Sequence, residues 1–254
     1  MKKLAWLLAP IILAGCQTGP LEDPNDAKTA GILAPDVIRR QLKGTSEMLM
    51  NRVSRGELSD AEFKDLIAKR ANELLKDVPM EKISPEKAWE YGEIFRTAKR
   101  YQQAKQALTI AVDYAIRTKN EDRRINDLIR LAHVEAMLGD ANSAVNTAKR
   151  TLDAKPEASA PILPGVLLEI VPAAKGKGKD FELGQLLEQA IDKHVATVVD
   201  PDSEAGQMFL LAKPHHVRNA WTVVFNLYLT SGHEAEARKA LAEGEEMMGS
   251  MRRV

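Results

Sequence analysis

Five histidines, one cysteine and scattered carboxylates are the side chains in this chain that could do chemistry, and their spacing argues against catalysis. His133, His194, His215, His216 and His233 fall in no H-E-x-x-H pattern, which would set two imidazoles on one helical face around a general base, and none has a cysteine partner. His215-His216 follows Lys213-Pro214, where the proline is expected to end one helix before the next begins, so a solvated loop is a simpler reading than a metal site. Glu245-Glu246 occupies adjacent helical positions that do not face one another. The Gly56–Asp60 stretch lacks the alternating oxygen ligands and terminal Glu of a calcium loop. The Lys-Gly alternation from Lys175 to Lys179 lacks G-x4-G-K-[ST] and any preceding strand. Arg252-Arg253 reads as a favourable charge at a helix end. No enzyme activity, cofactor or metal is expected.

The environment of Cys16 is more informative. Lys2 and Lys3 make a basic start, Leu4–Leu13 is an apolar run too short to span a bilayer, and Leu13-Ala14-Gly15-Cys16 follows at once. This resembles a bacterial lipoprotein signal with its lipobox; the alternative is an ordinary secretory signal with a chance cysteine. The resemblance implies a diacylglycerol on the Cys16 thiol, removal of residues 1–15 and acylation of the new amino terminus. Several acyl chains hold a protein on a membrane where one gives only marginal binding. Gln17, in place of an Asp, implies release to the outer membrane by the enterobacterial rule. Once lipidated, the chain has no thiol left for a disulfide, a thiolate metal site or a nucleophile. Residues 16–35, with Gly19, Pro20, Pro24, Asn25, Asp26 and Gly31, read as a flexible tether whose coil reach is about 20–25 Å.

The elements that would have to position a site are helical throughout residues 36–254. The chain has 28% charged and 44% hydrophobic residues with 36 basic and 36 acidic side chains, which suits a folded helical protein and supplies no field for nucleic acid. Asp36 is expected to cap a first helix that Gly44 interrupts. Ser59-Asp60-Ala61-Glu62 forms a capping box ahead of a stripe from Phe63 to Val78, stopped by Pro79. Ser84-Pro85 opens the next helix, and Val195–Val199, although β-branched, continues a helical period.

Ala88-x2-Tyr91-Gly92-x2-Phe95, a turn near Lys99, and Ala104-x3-Leu108-x2-Ala111 predict two short helices with small side chains set against large ones. Leu128-x2-Leu131, Gly139, Ala144-x3-Ala148 and Pro156 repeat the spacing, with Glu135 where an aromatic is expected; Trp221-x2-Val224-Phe225-x2-Tyr228, Gly232 and Ala237-x3-Leu241 repeat it again. These stretches resemble tetratricopeptide (TPR) repeats. A degenerate unit built on the stripes Ile162–Val171 and Leu183–Ile191 lies between. The resemblance implies an all-α fold of antiparallel helical hairpins stacked as a TPR-like right-handed α-solenoid, clearest at about 85–118, 125–158 and 218–251.

It also implies a protein-binding groove lined by the first helix of each hairpin: Trp89, Glu93 and Arg96; Ile129, His133 and Ala136; Thr222, Asn226 and Leu229. Trp89 stands out, since an aromatic offers large contact area at little entropy cost. The family's Lys and Asn clamp for a carboxylate terminus is not matched, because Trp89, Ile129 and Thr222 replace the Lys. The expected role is a lipid-anchored envelope scaffold that binds an envelope protein or peptide, touches the membrane through its lipid and does not bind nucleic acid. The alternative is an envelope enzyme or small-ligand receptor with a polar site between helices.

Overall fold

The computed structural model describes residues 32–76, 78–154 and 161–251; Cys16, the signal, most of the tether, Pro156 and Arg252-Arg253 lie outside the described residues. Every regular element among them is helical. α1 (Pro35–Ser54) packs on α2 (Asp60–Leu74), α3 (Ala88–Thr97) on α4 (Tyr101–Arg117), α5 (Glu121–Met137) on α6 (Ala141–Lys149), and α10 (Glu204–Thr230) on α11 (Glu234–Met251). Between them α7 (Ile162–Gly165), a π-helical turn (Val166–Ile170) and α8 (Val171–Ala174) run on as one bulged helical segment that packs against α9 (Asp180–Ala196). α4 also packs on α5 and α9 on α10, so each hairpin is layered on the next. The result is an all-α array of stacked antiparallel hairpins, an α-solenoid. Among the described residues no helix is long and apolar enough to cross a membrane.

The hairpins turn by one repeated device. Lys99, Lys119, Gly139 and Gly232 take left-handed φ of 59°, 55°, 86° and 82°. In each case the next amide reaches back to a helix carbonyl: Arg100 to Phe95 at 2.9 Å, Asn120 to Ala115 at 2.9 Å, Asp140 to Glu135 at 3.0 Å and His233 to Tyr228 at 2.8 Å. This satisfies carbonyls that the helix end would otherwise orphan. Two of the following helices, α5 and α6, are started by side chains: Asn120 Oδ1 and the Asp140 carboxylate accept from the backbone amides of Arg123 and Ser143. The Ser59/Glu62 capping box forms as its spacing predicts.

Small residues bring the helices close. A Cβ at Gly92 would lie 2.7 Å from Leu108 Cγ across the α3–α4 pair, and one at Gly165 would lie 2.6 Å from Ile129 Cδ1. The core falls into two clusters, one from Ile38 to Val134 and one from Ile125 to Ala240. They meet on α5, which gives Leu128, Leu131 and Val134 to the first and Ile125, Ile129, Ala132 and Ala136 to the second.

Several boundaries differ from the sequence expectation, and at Gly44 and Pro214 packing outweighs local preference. α1 starts at Pro35 after Ala34; Asp36 sits in its first turn and pairs with Arg40 at 2.9 Å instead of capping. Gly44 does not interrupt α1, since Ile38 and Leu49 are buried on either side of it. α2 ends at Leu74, short of Val78. Ser84-Pro85 forms a turn, with the Lys87 amide donating to Ser84 O, and α3 begins only at Ala88. α9 ends at Ala196, so the β-branched run beyond it is not helical. Pro214 does not end a helix: it lies inside α10, and His215 and His216 are helical residues. Phe209 and Lys213 before it dock on α9, and Val217, Ala220 and Trp221 after it are buried, so contacts on both sides hold the helix through the missing amide.

Candidate protein-binding face

The face begins with Trp89 on α3, half-buried against the first core cluster. Three guanidiniums surround its indole: Arg123 at 4.4 Å, Arg39 at 5.0 Å and Arg130 at 5.4 Å from the ring centroid. These come from α5, α1 and α5, so the ring is the point where three hairpins converge. The ring's negative face offsets part of the repulsion between the cations. Buried carboxylates offset the rest. Asp127, fully buried, takes Arg123 at 3.1 Å and Arg130 at 3.0 Å. Glu90, also buried, takes Arg39 at 2.9 Å and Lys87 at 3.6 Å. Burial pushes the Asp127 carboxyl above its ordinary value, and the two arginines pull it only part of the way back.

The charged chain continues along the first helices. Arg130 Nε lies 3.4 Å from Glu93 Oε1, Arg96 reaches Glu93 at 2.8 Å, and Arg96 also bridges to Glu169 of the π turn at 3.0 Å. Burial opposes the Arg96 charge, but Glu93 and Glu169 outweigh it and hold the guanidinium above its ordinary pKa. His133 Nδ1 lies 3.1 Å from Glu169 O, and burial, with Arg96 nearby, pushes the imidazole below its ordinary value. His133 is therefore neutral at pH 7. Met137, one turn after His133 on α5, and Leu168, the residue before Glu169 in the π turn, are exposed at 40% and 64% and give these two elements apolar surface.

Four of the sequence-predicted positions, Trp89, Glu93, Arg96 and His133, are thus joined in one network. Ile129 is not on the surface: it is buried, filling the space that Gly165 leaves, and Ala136 is buried too. Both belong to the core because the helical segment at 162–174 covers that side of α5. Thr222, Asn226 and Leu229 are exposed on α10, but the Thr222 hydroxyl and Asn226 amide donate back to Arg218 O and Thr222 O on their own helix, apart from the charged network. Arg39, Asp127, Arg130 and Glu169 were not anticipated. Arg123-x3-Asp127-x2-Arg130 carries a readable i, i+4 and i, i+3 spacing, whereas Arg39 and Glu169 join only through the stacking of separate hairpins. Glu135, standing where an aromatic was expected, is buried and satisfied by the Thr147 hydroxyl at 2.6 Å and Lys105 Nζ at 3.1 Å. Beside Trp89 a cavity of about 340 Å³ is lined by Glu86, Lys87, Glu90, Tyr114, Asn120 and Arg123 among others. Among the described residues no group of three His, Cys, Asp or Glu could hold a metal ion.

No protein-family model matches the chain, and no curated protein does. Among solved structures the chain is similar to the nearly identical TPR-like repeats of a kinesin light chain from Podosopora anserina, at 16% identity and a TM-score of 0.43 over 84% of this chain and 98% of that one. A single-substitution variant of those repeats matches at 17% identity and a TM-score of 0.41, over 88% of this chain and all of that one.

Proposed function

We propose that this chain is a lipid-anchored interaction scaffold of the bacterial cell envelope, held by a lipid on Cys16 at the outer membrane and facing the periplasm, where it binds other envelope proteins and assists assembly of an envelope complex. The observation that supports binding is the face just described, in which aromatic, charged and exposed apolar side chains from α1, α3, α5 and the π turn form one prearranged surface. Side chains already held by neighbours lose little freedom when a partner docks, so less of the contact energy is spent on ordering. The anchor rests on the lipobox resemblance around Cys16.

Met137 and Leu168 make the cleanest test, because both are exposed and their loss leaves the core intact. Met137→Asp with Leu168→Asp is expected to lose partner capture from envelope extracts while the melting temperature stays within about two degrees of wild type. Undiminished capture would rule this face out. Mass spectrometry of the mature amino terminus is expected to show a lipidated Cys16, and an unmodified Cys16 in native membranes would rule the anchor out.

A further inference from the structure

The charges at the Trp89 end of the face are layered by sign. Arg39 is 50% exposed over a Glu90 side chain that is only 8% exposed, and Arg123 is 30% exposed over a fully buried Asp127. Lys87 likewise stands outside Glu90. The buried carboxylates fix the cations in place, yet what reaches the solvent is the positive layer. The cavity beside Trp89 opens within that layer, with Lys87 and Arg123 in its wall and the exposed Glu86 as its one outward carboxylate. A second cavity, of about 430 Å³, adjoins it, sharing Glu86, Tyr114 and Thr118 and adding Ser84, Pro85 and Arg117. Arg117 is exposed, its guanidinium 6.0 Å from the Tyr114 ring centroid. Two aromatic rings, each carrying a guanidinium, thus border one continuous depression at the α3, α4 and α5 ends.

We propose that this depression seats an extended acidic segment of the partner polypeptide, whose carboxylates bind Lys87, Arg117 and Arg123. This deepens the scaffold reading and rests on it. Outward cations with their counter-charges buried attract an acidic chain at long range and reject a basic one, which sets selectivity and association rate. The aromatic rings supply apolar contact for the chain between its carboxylates.

The test is fluorescence titration of the full mature protein in detergent with a labelled peptide of alternating Glu and Gly, set against an alternating Lys and Gly control. The Glu peptide is expected to bind, to weaken about tenfold or more between low and roughly 0.2 M salt, and to weaken severalfold further in Arg117→Gln and in Lys87→Gln, both outside the core. Unchanged thermal melts of the variants show that the fold is kept. Equal binding of both peptides, or wild-type affinity in both variants, would overturn the inference. If an envelope partner that needs Met137 and Leu168 is not displaced by the Glu peptide, the acidic-segment inference fails while the scaffold role stands. Undiminished partner capture by the Met137→Asp, Leu168→Asp variant would remove both.

Discussion

Trp89 shows how a side chain can be legible in position and misread in kind. The repeat spacing groups it with Glu93, Arg96 and His133, but as a bare aromatic on a groove. In the structure it is a platform under three guanidiniums. Trp89→Ala is therefore expected to cost about 2 kcal/mol of stability as well as binding, through lost core contact and unshielded repulsion, checked by denaturant unfolding. His194 is the second residue whose behaviour follows from its surroundings. It is buried against Phe209 and His216 of α10, its Nε2 and His216 Nδ1 have no hydrogen-bond partner, and Lys213 is the other charge close by. Burial first, then His216 and Lys213, depress its pKa to about 4. Since the folded value lies below the unfolded one of about 6.5, the unfolded chain takes up the proton first, so stability is complete above that value and is lost as pH falls toward 4. Urea unfolding at neutral pH and near pH 4.5 is expected to show a loss of about 2 kcal/mol from this residue, absent in His194→Gln. An equal loss in the variant would assign the effect elsewhere.

At the scale of elements, period and turn chemistry were readable where they were local. The Ser59/Glu62 capping box and the glycine turns at Gly139 and Gly232 need only neighbouring residues, and all three form. Pro214 and Gly44 look like breaks by propensity, yet α10 and α1 continue through them because buried residues on both sides are anchored by other helices. No local signal reports that anchoring. Lys119 occupies the left-handed position that glycine fills in the α5–α6 and α10–α11 turns. Lys119→Gly is expected to raise stability by about 0.5–1 kcal/mol, seen as a higher melting temperature, because the strain of a side chain at positive φ is relieved. Gly92→Ala should do the reverse. Its methyl group meets both the branch carbon of Leu108, Cγ at 2.7 Å, and Cδ2 at 2.8 Å, and forcing α3 from α4 is expected to cost about 1–3 kcal/mol in denaturant unfolding.

The whole molecule is organised by α5. It belongs to both core clusters, carries Arg123, Arg130 and His133 over a buried Asp127, and so links the stability of the two halves to the shape of the candidate face. This follows from hairpin stacking, in which each layer is supported by its neighbours. The stacked hairpins could be anticipated from three stretches of shared spacing. The two sets of ion pairs that meet at Trp89 could not, since they join residues 51 and 73 positions apart. Native-state hydrogen exchange is expected to find the amides of α5 more protected than those of α1 and α11, which lie at the ends of the array. The decisive measurement is site-specific photo-crosslinking in intact cells, with the photoreactive residue placed at Met137, at Leu168 and, on the exposed side of α11, at Lys239. A discrete protein adduct from Met137 and Leu168 and none from Lys239 is the predicted result; no adduct at either position, or the same adduct from all three, would contradict a partner-binding face on the first helices.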